Sequence, residues 1–124
     1  MNAQDIALIA AGVIGSAVAL IHGALMQRYI INPIADSGAR MNAAAKALTP
    51  ILLHLSTVYW FAGGLALIGA ALWFDPSASL ATAVCVAALY VPAVIGNFWG
   101  TRGRHPGWML YAVSVALIGY GVFG

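Results

Sequence analysis

Four stretches of this chain, residues 6–26, 50–74, 79–99 and 108–123, contain no Asp, Glu, Lys or Arg. That constrains the fold more than any motif does. In an apolar medium every backbone N–H and C=O must pair within its own helix or within a closed barrel. About 20 apolar residues in a helix cross the ~30 Å hydrocarbon layer of a bilayer. The chain is 124 residues long, 63% hydrophobic and only 6% charged, against about 25% charged in soluble domains. So short a chain cannot hide that much apolar surface from water. The expected fold is therefore an all-α integral membrane protein, an antiparallel up-down bundle of four transmembrane helices forming one domain over residues 1–124.

Local signals mark the boundaries. Asn2 or Asp5 caps the first span, and Asn32-Pro33 is expected to end it, because the residue before proline avoids the α region. Thr49 as N-cap and Pro50 at the first helical position predict the start of the second span. Asp75-Pro76-Ser77 reads as a tight turn, and Pro92 predicts a kink in span three. The opening segment, MNAQDIALIAAG, lacks a basic n-region and reads as a retained span rather than a signal peptide. Residues 28–49 form the longest connection. Within them SGARMNAAAKAL predicts a short amphipathic surface helix capped by Ser37, with Met41, Ala45 and Leu48 on one face. Cys85, alone in an apolar run, reads as a small buried hydrophobe.

Charge gives orientation. Arg28, Arg40, Lys46, Arg102 and Arg104 all fall in the first and third connections, which share one side of a four-span bundle, whereas Asp5 and Asp75 fall on the other. Positive-inside bias then makes the basic side cytoplasmic and both termini periplasmic, in a bacterial-type inner membrane. Tyr29, Phe98, Trp99 and Trp108 near one end, and Trp73, Phe74, Tyr120 and Phe123 near the other, fit interfacial aromatic belts. Trp60 lies deeper and reads as a packing residue. A net charge of +2 is too small for a nucleic-acid surface. The expected surroundings are lipid, together with further copies of the chain or a larger membrane complex.

Lipid removes the hydrophobic drive between helices, so small residues must allow close approach. Gly12, Ser16, Ala19 and Gly23 form such a stripe, with Gly15, Ala19 and His22 beside it. Gly63, Gly64 and Gly69 in span two, and Gly119 and Gly121 in span four, extend the pattern.

Polar groups gather at the basic end. His22 and His54 fall at matched depth on adjacent spans. Gln27, Arg28, Asn97, Arg102, Arg104, His105, Tyr111 and Ser114 surround them. Intramembrane ionisable residues need partners and mark candidate sites. A polar knot would bond the histidines to Ser56, Thr57, Tyr111 or Asn97 and fix helix register. In layout the arrangement also resembles a minimal membrane cytochrome b. That resemblance implies haem ligated by His22 and His54, with arginines pairing its propionates. A lipid- or quinone-directed enzyme would use a histidine as base, with Arg102 and Arg104 holding phosphate. Proton-coupled export is disfavoured, because the chain has no Glu and its Asp residues lie outside the spans. The loop NFWGTRGRHPG reads as an anchor or as an anion and headgroup site, with Arg28, Arg102, Arg104 and His105 as donors. The sequence favours a non-catalytic interaction or accessory protein whose polar cluster sets register or holds a headgroup.

Overall fold

The computed structural model describes residues 1–38 and 40–124, which form helices and short connections with no strand among them. Helix α1 (Ala3–Met26) begins in a capping box. The Asn2 side chain accepts from the Asp5 N–H at 2.9 Å, and Asp5 accepts from the Asn2 N–H at 2.8 Å. The helix does not end at Asn32-Pro33. It passes through a π turn, Gln27–Ile31, into α2 (Asn32–Asp36), with Asn32 still helical at φ −60°, ψ −48°. The wider turn accepts a ring that would otherwise strike the carbonyl one α turn back. Gln27 also donates from Nε2 to Asn32 Oδ1 at 2.7 Å, bracing the turn.

Helix α3 (Ala43–Trp73) starts at Asn42, whose side chain accepts from the Ala45 N–H at 2.7 Å. The expected start at Thr49-Pro50 is thus several residues late. Pro50 lies inside the helix, and Thr49 donates back to the Ala45 carbonyl at 2.7 Å. The proline removes a bond to the Lys46 carbonyl on an exposed turn, where outside polar groups can take it. Among the described residues of 37–48 the separate surface helix does not form. Residues 43–48 are the first turns of α3, and Ser37 closes α2 instead of opening a helix.

Helix α4 (Pro76–Thr101) is capped by Asp75, which accepts from Ser77 Oγ at 2.6 Å and from the Ser77 and Ala78 N–H groups at 2.9 and 3.1 Å. It closes on two left-handed residues, Arg102 (φ 50°) and Gly103 (φ 73°). Helix α5 (Gly107–Phe123) completes the chain. Helices α1, α3 and α4 are long and apolar enough to cross a membrane, and α5 is a shorter apolar helix of 17 residues.

The four helices close a ring in the order α1, α3, α4, α5. Small residues set the spacing, as the stripes predict. Gly12, Ser16, Ala19 and Gly23 are all buried. A Cβ on Gly12 would strike the Gly64 carbonyl, and one on Gly64 would strike Ser16 Oγ. One on Gly23 would lie 2.7 Å from Thr57 Cγ2, and one on Gly121 2.7 Å from Leu8. Ser16 donates to the Phe61 carbonyl at 3.2 Å across the same contact. Most of the other face looks outward and is apolar. Only 17% of the most apolar window of α3 and 22% of that of α4 are buried, so their partner must be an apolar medium or another protein. Cys85 is among these exposed residues, not in the core as expected.

The helices are level at one end and unequal at the other. At the level end Gln4 Nε2 donates to the Gly124 carbonyl at 2.8 Å. A cavity of about 530 Å³ there is lined from all four helices, Leu8, Ala70, Leu80 and Val122 among them. At 1.5 Å per residue, α5 is about 25 Å long, whereas the run from Ala3 to Asp36 is about 51 Å and α3 about 46 Å. All of that excess stands at the basic end.

Two predictions follow from this packing. Gly64→Val should cost about 2 kcal/mol or more in a detergent unfolding titration, because a backbone contact cannot yield, whereas Gly119→Ala, with open space beside it, should change little. Asp75 is held below its ordinary 3.8 by the Ser77 hydroxyl, then by the Ala78 and Ser77 N–H groups. Its capping contribution is therefore complete above 3.8 and lost as pH falls through the lowered folded value. Amide exchange in the first turn of α4 should accelerate in that acid window and lose this step in Asp75→Asn.

Candidate functional site

Each helix sends one ring into the middle of the bundle. His22 of α1 lies against Trp60 of α3 with ring centroids 4.7 Å apart. Trp60 meets Tyr111 of α5 edge-on at 5.0 Å, and Tyr111 meets Tyr90 of α4 at 4.9 Å. Tyr90 and Tyr111 are fully buried. Tyr90 donates its hydroxyl to the Trp60 carbonyl at 3.0 Å. It reaches that far because Gly15 leaves the space: a Cβ there would collide with the phenol. Trp60 is thus a packing residue, as its depth implies, and His22 belongs to an aromatic row.

His54 is placed differently. Its Nε2–H donates to Gln27 Oε1 at 2.8 Å, and Gln27 in turn donates to Asn32. Gln27 is five positions beyond His22, about 7.5 Å along the axis. The two histidines therefore sit about one turn apart, beside different neighbours, and no hydrogen bond joins them among the described residues. An axial pair on one macrocycle needs both rings to face one space.

The partners expected of a polar knot turn elsewhere. Ser56 donates to the Leu53 carbonyl at 2.9 Å and Asn97 to the Ala93 carbonyl at 2.8 Å. Short polar side chains in helices bond back to their own turn when no better acceptor is near. The hydroxyls of Thr57, Tyr111 and Ser114 are buried with no hydrogen-bond partner among the described residues.

The polar end also holds two open grooves. One, about 400 Å³, lies between α1 and the α4–α5 connection and is lined by His22, Met26, Tyr29, Asn97, Thr101 and His105, with Leu25 and Ile30. The other, about 340 Å³, is lined by Ser56, Trp60, Leu89, Pro92, Ala93 and Gly96, and it too borders His22 and Asn97. These two side chains divide the grooves. The first groove exists because α5 begins only at Gly107, so the α1 face above that level has no fourth helix against it.

Of the expected anion cluster, His105 lines the groove, whereas Arg28, Arg102 and Arg104 are exposed beside it in the chain. Arg28 lies over the Tyr29 ring at 5.4 Å. Among the described residues no carboxylate pairs with any of these arginines, and no three His, Cys, Asp or Glu side chains gather as metal ligands. Sequence reasoning missed Tyr90 and Thr101. A hydroxylated ring in mid-span was a visible signal for Tyr90, but its match to Gly15 depends on helix register.

No family model, no curated protein and no solved structure matches this chain. The geometry has to carry the functional reading by itself.

The aromatic row is testable. Tyr90→Phe should cost about 0.6–1 kcal/mol, the scale of an interhelical hydrogen bond in a bilayer. Gly15→Ala should cost more, because the phenol must move. Equal, negligible losses in detergent unfolding would contradict this packing.

Proposed function

We propose that this chain is a four-span inner-membrane protein, basic end cytoplasmic and both termini outside, that acts as a non-catalytic interaction subunit. The observation that carries this reading is the unequal length of its helices. The run through α2, and the first turns of α3, overrun a ~30 Å hydrocarbon layer at the end where all five cations lie. Ile31, Ile34 and Ala35 face Met41 and Lys46 there across a small cleft of about 40 Å³. The result is a basic helical hairpin standing above the bundle. Arg40 and Lys46 are exposed on it, and such cations attract anionic headgroups or the acidic surface of a partner. Below it the bundle has an apolar outer wall, to which Leu20, Leu52, Val58, Leu65 and Ile95 contribute. In this reading α5, at 17 residues, lies at the short limit for a span.

Cysteine labelling in a Cys85→Ala background tests the orientation. Ser77→Cys should react in intact cells and Ser37→Cys only after permeabilisation; the reverse pattern means that the topology is inverted. For the interaction role, the chain extracted in mild detergent should migrate in native gels within a larger assembly. Arg40→Gln with Lys46→Gln should release it. Migration of the unaltered chain as a free monomer would sink the reading.

A further inference from the structure

We propose that the groove between α1 and the α4–α5 connection receives the head of a membrane quinone: a neutral, flat ring with carbonyl acceptors and an apolar tail. The proposal rests on the bilayer reading above for the source of the ligand. Its geometry comes from the groove. At about 400 Å³ the space falls within the range of small-molecule sites, which are mostly apolar with a few converging polar groups. Leu25, Met26 and Ile30 supply the apolar wall, and His22, Asn97 and His105 the polar groups.

The polar groups fit carbonyl oxygens. The Gly107 N–H donates to His105 Nδ1 at 3.1 Å. A neutral imidazole accepting at Nδ1 carries its proton on Nε2, so the ring keeps one N–H donor for a ligand. Asn97 uses one N–H on the Ala93 carbonyl and retains the other. Among the described residues no hydrogen bond engages His22, whose ring is held by Trp60. The arginines do not line the groove, so its walls offer neutral donors and apolar surface, not fixed charge. A phosphate would leave its charge unpaired there, whereas a quinone carbonyl needs only a donor. The tail has a route out, because the groove is open and its wall residues Tyr29 and Ile30 are exposed.

Isothermal titration of the detergent-purified full chain with decyl-substituted dimethoxymethyl-benzoquinone tests this. Saturable one-to-one binding is expected. His105→Asn keeps an acceptor for the Gly107 N–H but removes the Nε2 donor, and it should raise Kd about tenfold, the loss of one good hydrogen bond. Asn97→Leu should weaken binding similarly, without disturbing the loop. Arg102→Gln with Arg104→Gln should leave Kd within about twofold. Absence of saturable binding by a chain that is helical by circular dichroism would overturn the proposal, as would equal binding by both groove variants. Competition by phosphatidylglycerol that depends on the arginines would also overturn it, pointing to an anionic headgroup. Titration in detergent and labelling in cells are separate measurements, so quinone binding and the bilayer reading can fail independently.

Discussion

The architecture depends on the close approach of α1 and α3 at Gly12 and Gly64, where a Cβ on either helix would meet the backbone of the other. In a bilayer, dispersion between closely packed backbones does the work that water-driven burial does in a soluble core. Once that pair is fixed, the Ser16 bond to Phe61 and the Gly23–Thr57 contact follow along the same seam. The seam also sets how wide the opposite side of the ring must be. Tyr90 fills that width, reaching from α4 to Gly15 and to the Trp60 carbonyl.

Above the aromatic row the order changes, because the helices stop at different heights. Burial is dense where all four run side by side, with Ala11, Ala19, Leu67, Ala83 and Tyr90 at 0% exposure. Where α5 is missing, the same α1 face borders an open groove with two histidines and an amide. Packing rigidity and ligand access therefore occupy successive levels of one bundle, and His22 stands at the boundary between them. The proposed functions divide in the same way, the hairpin facing partners and the groove facing a small amphiphile.

Much of this was legible in the sequence. Runs without charge gave the helices, and small residues spaced by three and four gave the α1–α3 seam, because both are local properties of one segment. The depth of Trp60 and the break between spans at Asp75-Pro76-Ser77 were legible for the same reason, although the capping role of Asp75 was not read from it. The histidine pair was not. His22 and His54 are matched when positions are counted from apolar boundaries, but side-chain partners depend on helix rotation and register, which separate them by about a turn. The helix ends at Pro33 and Pro50 were misjudged because proline disfavours an α turn without forbidding a widened or exposed one. Cys85 was assigned to the interior because apolar sequence marks the outside of this bundle as readily as its core.

The π turn at Gln27–Ile31 changes the phase of the helix it interrupts. Along α1 the inward positions Gly12, Ser16, Ala19, Gly23 and Met26 keep helical step, and the next would be residue 30. Yet Ile30 is 45% exposed and Ile31 is 8% exposed. The turn thus acts as a phase shift, adding one residue to the count and rotating α2 beyond it by about 100° relative to an unbroken α-helix. The facing of α2 is set by this turn, whereas Lys46, in the first turns of α3, keeps the register of the seam's own helix. One inserted or deleted residue at the turn would swing α2 to a new bearing and disturb the Gln27 bonds to His54 and Asn32, while the seam from Gly12 to Gly23 kept its register.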